Sequence, residues 1–141
     1  MPTRTSSAQW QGNLKDGSGT VALGSGAFEG SYSFVSRFET GEGTNPEELI
    51  AAAHAACYSM ALSNALASAG FTVNSVQTSA AVTLDRVDGA PTITRIDLTT
   101  RGDVSGIDAA EFDKQAAAAK AGCPVSKALA AVEITLDAAL V

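Results

Sequence analysis

One histidine, two cysteines and one tryptophan are all that 141 residues hold of the side chains on which many sites are built. No C-x-x-C pair occurs, and with a lone His54 too few soft ligands remain for a zinc centre. A serine triad would have to recruit that same histidine, and no G-x-S-x-G elbow is present. Walker and dinucleotide-binding glycine patterns are missing as well. The reading is therefore of a chain that works with neither metal nor cofactor. Cations are scarce too: nine Lys and Arg stand against fifteen Asp and Glu, a net charge of −6. With no basic patch or basic amphipathic helix, nucleic acid and anionic membranes are poor partners.

The first residues, Met1 to Ser7, lack the apolar run of a signal peptide, which points to the reducing cytoplasm. There a cysteine pair is more often catalytic, or merely buried, than a permanent staple. From Leu49 to Leu84 no charged residue occurs at all. A membrane helix would be richer in Leu, Ile, Val and Phe, whereas this run is mostly alanine and carries His54, Ser59, Ser63, Asn64 and Ser68. It reads as the inside of a protein.

What the chain does have is a long helix. Thr44 or Asn45 can cap it, Pro46 suits its first turn, and Glu47 or Glu48 can complete a capping box. Gly70 is a natural stop. The element between these signals has about 24 residues and a length of roughly 36 Å. Its middle, Leu49 to Leu62, has no polar stripe, so the helix is expected to be buried on all sides. Cys57 lies near its centre.

Around it the pattern is β. Strands are expected over Ser7–Gly12 and Gly19–Leu23, and a third carries Phe28, Tyr32 and Phe34 at period two and ends over Ser36–Glu39. Beyond Gly70, Val76, Thr78, Ala80, Val82 and Leu84 alternate with polar residues. Asp88-Gly89 marks a hairpin, and Ile96 and Leu98 belong to the returning strand. Asp108 to Gly122 reads as a second helix and Cys123-Pro124 opens a third. A last strand carries Val132, Ile134, Leu136, Ala138 and Leu140. The sum is one α+β domain over residues 1–141, with mostly antiparallel sheet. One sheet cannot cover a helix that is apolar all round, so a second copy of the chain is expected to close over it.

Four residues could carry chemistry. Cys57 is either a small buried hydrophobe or a reactive thiol. Cys123, between Gly122 and Pro124 at a helix start, faces unpaired N–H groups that favour a thiolate, or else is an inert cap. A thiol buried in a helix needs a cation nearby, since burial alone raises its pKa; Arg37 and Arg86 are the candidates. His54 could act as a base or be core.

The run Thr44 to Leu62, with His54-Ala55-Ala56-Cys57-Tyr58-Ser59-Met60, resembles the signature of the OsmC/Ohr family of thiol peroxidases. The stretch Lys120 to Ser126 around Cys123 resembles it as well. Tyr32 to Glu39 and the ending Glu133 to Asp137 are similar to the OsmC branch in particular. Tyr58 stands where phenylalanine is usual. The resemblance spans essentially the whole chain. It implies an intertwined homodimer of OsmC-like fold, with sheets packed around long central helices. It also implies a peroxidase that reduces organic hydroperoxides, and hydrogen peroxide less selectively. Cys57 matches the peroxidatic cysteine, Cys123 the resolving one, Arg37 the family arginine and Glu47 its glutamate. On that pattern Cys57 becomes a sulfenic acid, Cys123 converts it to a disulfide, and an external dithiol, possibly of lipoyl type, reduces the pair. Glu47 and Cys57 lie about 15 Å apart along one helix, so Glu47 and Arg37 are expected to serve Cys57 of the other subunit. Two other uses of the cysteines stay open. One is a redox sensor or binding module, the other an acyl transferase or hydrolase using Cys57 alone.

Overall fold

A computed structural model describes residues Met1–Val141. The chain forms two compact units, Met1–Leu49 and Ile50–Val141.

The first unit is a three-stranded antiparallel sheet, β1 (Ser6–Gln11), β2 (Ser18–Leu23) and β3 (Glu29–Tyr32), in that order. Trp10 packs against Tyr32 with ring centroids 5.3 Å apart, and its indole N–H donates to the Asn13 carbonyl. The third strand is shorter than its aromatic spacing suggests. It stops at Tyr32, and Phe34–Phe38 form a short helix, α1, instead. Phe28 lies ahead of the strand. The cause is Ser33. Its hydroxyl accepts the Ser36 N–H, and the Ser36 hydroxyl accepts the Ser33 N–H, a reciprocal cap that fixes a helical turn where alternation alone argues for a strand.

Ser36 also ties this turn to the next element by donating to the Thr44 carbonyl at 2.8 Å. Helix α2 then starts at Pro46 and runs to Ser68. Asn45 caps it by accepting the Glu48 N–H at 2.8 Å. The expected capping box is absent, because the Glu48 carboxylate takes the Thr44 hydroxyl and Glu47 is engaged by Arg37. At the far end Gly70, at φ +93°, allows the Phe71 N–H to reach the Leu66 carbonyl and its own N–H that of Ala67. That is a Schellman motif, and a side chain at Gly70 would strain it.

In the second unit, β4 (Thr72–Val87) and β5 (Ala90–Ser105) form a long antiparallel hairpin over an Asp88-Gly89 turn. Both turn residues have positive φ, as a two-residue hairpin requires. Strand β6 (Glu133–Leu140) adds alongside β5 in parallel, Ile96 facing Ile134 and Leu98 facing Leu136, so this sheet is mixed. Helix α3 (Ala109–Gly122) is capped by Asp108, and α4 (Pro124–Ala128) follows directly. The core joins Tyr58, Leu62 and Leu66 of α2 to Ile96, Leu98, Phe112, Ala116 and Cys123. A hydroxyl chain fastens α2 as well: Ser59 donates to Thr78, which meets Thr100 at 2.9 Å.

Helix α2 departs from expectation in its burial. Only His54, Tyr58, Leu62 and Leu66, one side chain per turn, are fully buried by the chain itself. Ala52, Ala56, Met60, Asn64 and Ala67 form an exposed stripe, with Met60 at 75%. By length and composition the helix could cross a membrane, at a mean hydropathy of 1.3.

Candidate active site

Cys57 occupies the middle of α2 and is half-buried; Cys123 closes α3 and is wholly buried. The Cys123 N–H completes the last turn of α3 on the Ala119 carbonyl, and its carbonyl begins α4 by accepting the Lys127 N–H. Pro124 tolerates this arrangement because the first helical position has no partner for an N–H anyway. The junction points the Cys123 side chain at α2. The two sulfur atoms stand 3.0 Å apart, both as free thiols.

At that distance the pair shares a proton, and the surroundings are unequal. Burial pushes the Cys57 thiol up, and contact with Cys123 adds to the rise; the Val125 N–H opposes it. Burial also resists ionisation of Cys123, but the hydrogen bonds it receives outweigh that cost and bring it below the ordinary thiol value. They come from Cys57, the Ser126 N–H and hydroxyl, and the Val125 N–H. Within a single chain the negative charge thus belongs on Cys123. The neighbouring Tyr58 is driven upward by burial and then by that charge, and its hydroxyl donates to the Ala116 carbonyl.

The other expected pair lies in the first unit. Arg37, on α1, grips Glu47 in the first turn of α2, with Nη2 to Oε1 at 2.8 Å and Nε to both oxygens at 3.3 Å. Glu47 is buried and the Arg37 guanidinium leans over Phe38, 5.2 Å from its centroid. A cavity of about 390 Å³ beside it is lined by Trp10, Leu14, Tyr32, Phe34, Arg37 and Phe38. Arg86, the alternative cation, is spent on the hairpin, where it donates to the Gly89 carbonyl.

The four candidate residues therefore come together as two pairs, Cys57 with Cys123 and Arg37 with Glu47. The sequence reading missed the partner of His54. Its Nε2 lies 2.7 Å from the Ser126 hydroxyl, 72 positions away, while Nδ1 is buried without a partner. Only the placement of Ser126 three residues after Cys123, on the first turn of a helix, hinted at a role.

Residues 39–137 match the family described as OsmC-like protein. The chain is 56% identical to peroxiredoxin OsmC of Escherichia coli over 131 residues, 92% of this chain and 91% of that protein. Its fold is similar to that of the organic hydroperoxide resistance protein OhrB of Bacillus subtilis. The TM-score is 0.73 at 23% identity, over 96% of this chain and 98% of that one. An OsmC-like protein of Vibrio cholerae has a TM-score of 0.76 at 17% identity, covering 99% and 100% of the two chains. A matching family region, a relative at this identity and a shared α+β fold agree: the chain belongs to the OsmC-like protein family.

Proposed function

We propose that this chain is a thiol peroxidase that reduces organic hydroperoxides, and hydrogen peroxide less selectively, through Cys57 and Cys123. The observation that carries the reading is the 3.0 Å separation of the two sulfurs. The Cys57 thiolate attacks the distal peroxide oxygen, the O–O bond breaks, and an alcohol or water departs once its oxygen is protonated. Cys57 is left as a sulfenic acid. Cys123 then attacks that sulfur, water leaves, and a disulfide forms. An external dithiol, for which a lipoyl-type carrier is the chemical example, exchanges with the disulfide and restores both thiols. Such a donor is at hand in a reducing cytoplasm.

The first step needs Cys57 as the anion, and in the single chain its pKa moves the wrong way. A guanidinium beside it would draw the shared charge from Cys123 to Cys57 and stabilise the oxygen leaving the O–O bond. Arg37, oriented by Glu47, is that group, and it acts on the partner subunit. Glu47 and Cys57 are ten residues apart on one helix, about 15 Å along the axis. The uncovered stripe of α2 is the natural seat of a second copy in an intertwined homodimer. The aromatic cavity beside Arg37 suits a substrate with a hydrocarbon tail.

Intact-mass measurement after one equivalent of an organic hydroperoxide, followed by peptide mapping, tests the reading. A loss of two hydrogens located to a Cys57–Cys123 bond is expected. Unchanged mass, or oxidation confined to methionine, would sink it. Sustained peroxide consumption with excess dithiol separates an enzyme from a sensor that oxidises once.

A further inference from the structure

His54 and Ser126 have no part in the cycle just described, yet they touch it. His54 lies one turn ahead of Cys57 on α2 and is wholly buried. Burial lowers its pKa, so the ring is neutral and carries one proton. A proton on Nδ1 would be a buried donor with no acceptor; a proton on Nε2 leaves only a lone pair unmatched, the lesser cost. The proton therefore belongs on Nε2, which donates to Ser126 Oγ at 2.7 Å. The Ser126 hydroxyl is left to donate its own hydrogen, and the acceptor it meets is the Cys123 sulfur. A directed chain results, from His54 through Ser126 to Cys123. Tyr58, the other titratable group of α2 at this place, is committed to the Ala116 carbonyl.

We propose that this chain drives the resolving step: Ser126 stabilises the Cys123 thiolate that attacks the Cys57 sulfenic acid, and His54 is the positioning residue that holds the Ser126 hydroxyl in the donating orientation. The proposal rests on the two-cysteine reading above. The Cys123 electron pair forms the S–S bond, and the S–O bond of Cys57 breaks with its pair remaining on oxygen. The hydroxide so released takes the proton that Cys123 gave up and leaves as water. No outside oxidant or reductant enters this step.

The test separates the two half-reactions by rapid mixing with an organic hydroperoxide, following sulfenic acid with a dimedone-type trap and disulfide by quenched mass analysis. In Ser126→Ala, sulfenic acid at Cys57 should appear within twofold of the wild-type rate. Disulfide formation should slow by about tenfold, the loss of one hydrogen bond to an anion. His54→Leu should behave alike, and His54→Gln, which keeps an N–H near the same place, should recover most of the rate. Absorbance of the Cys123 thiolate near 240 nm in a Cys57→Ser background should titrate at higher pH when Ser126 is Ala. Wild-type disulfide rates in Ser126→Ala, or an equal fall in both steps, overturn the proposal. A slow Ser126→Ala beside an unaffected His54→Leu removes His54 from it, as does no recovery in His54→Gln. Should His54→Leu not fold, Ser126→Ala, which deletes only one hydroxyl, decides alone. If wild type forms no sulfenic acid at Cys57, the two-cysteine reading itself fails, and this role with it.

Discussion

Arg37 and Glu47 form a forked ion pair, Nη2 to Oε1 at 2.8 Å, between the short helix α1 and the first turn of α2. Glu47 is thereby unavailable for capping, and Asn45 does that work alone. The local structure gives up one stabilising contact so that a guanidinium is held in a fixed plane.

Arg37→Ala should slow the first oxidation of Cys57 by about a hundredfold, as removal of one charge-stabilising donor does elsewhere. Arg37→Lys keeps the charge but not the fork and should recover only a small part. Stopped-flow traces with a hydroperoxide check both. A first step unchanged in Arg37→Ala would remove the arginine from the reaction.

Mixing inactive chains tests whether sites are shared between subunits. Cys57→Ser and Arg37→Ala proteins, dissociated together and allowed to reassociate in equal amounts, should regain about a quarter of wild-type activity per site. Half the dimers are then mixed and each mixed dimer has one complete site. A site built within one chain would give none.

The reciprocal cap of α1 should matter beyond its own turn. Ser36→Ala removes two of its hydrogen bonds and the tie to Thr44. It should cost about 1 kcal/mol of stability in denaturant titration. It should also slow peroxide attack, because Arg37 is the next residue.

The buried imidazole sets an acid limit. Its folded pKa lies below the ordinary 6.5. Below pH 6.5 the unfolded chain therefore binds a proton that the native chain does not. Stability is lost as pH falls through that window, by up to about 1.4 kcal/mol per pH unit. His54→Gln, which cannot titrate, should flatten that part of the Tm profile relative to wild type. Parallel profiles for the two proteins would contradict it.

The long helix, the Asp88-Gly89 hairpin and the alternation along β4 could all be read from the sequence, because each rests on local chemistry or a strict period. Phe34 was misread for the same reason: its period-two spacing with Tyr32 was real, but the Ser33–Ser36 cap outweighed it. The parallel pairing of β6 with β5 left no local mark. The resemblance supplied Cys57 and Cys123 as a pair; spacing alone could not have joined them, nor His54 to Ser126. Arg37 was singled out as a possible cation, but its fork with Glu47 became evident only once α1 was in place.

The short gap between the sulfurs has a practical meaning. A disulfide needs them about 1 Å closer than they stand, a movement within reach of side-chain rotation. Neither α2 nor the α3–α4 junction has to unwind to close it. Trapping so near at hand leaves little time for a second peroxide molecule to convert the oxidised sulfur into a dead-end acid. The protein should therefore keep working in bursts of oxidant that would poison catalysts whose second thiol must travel.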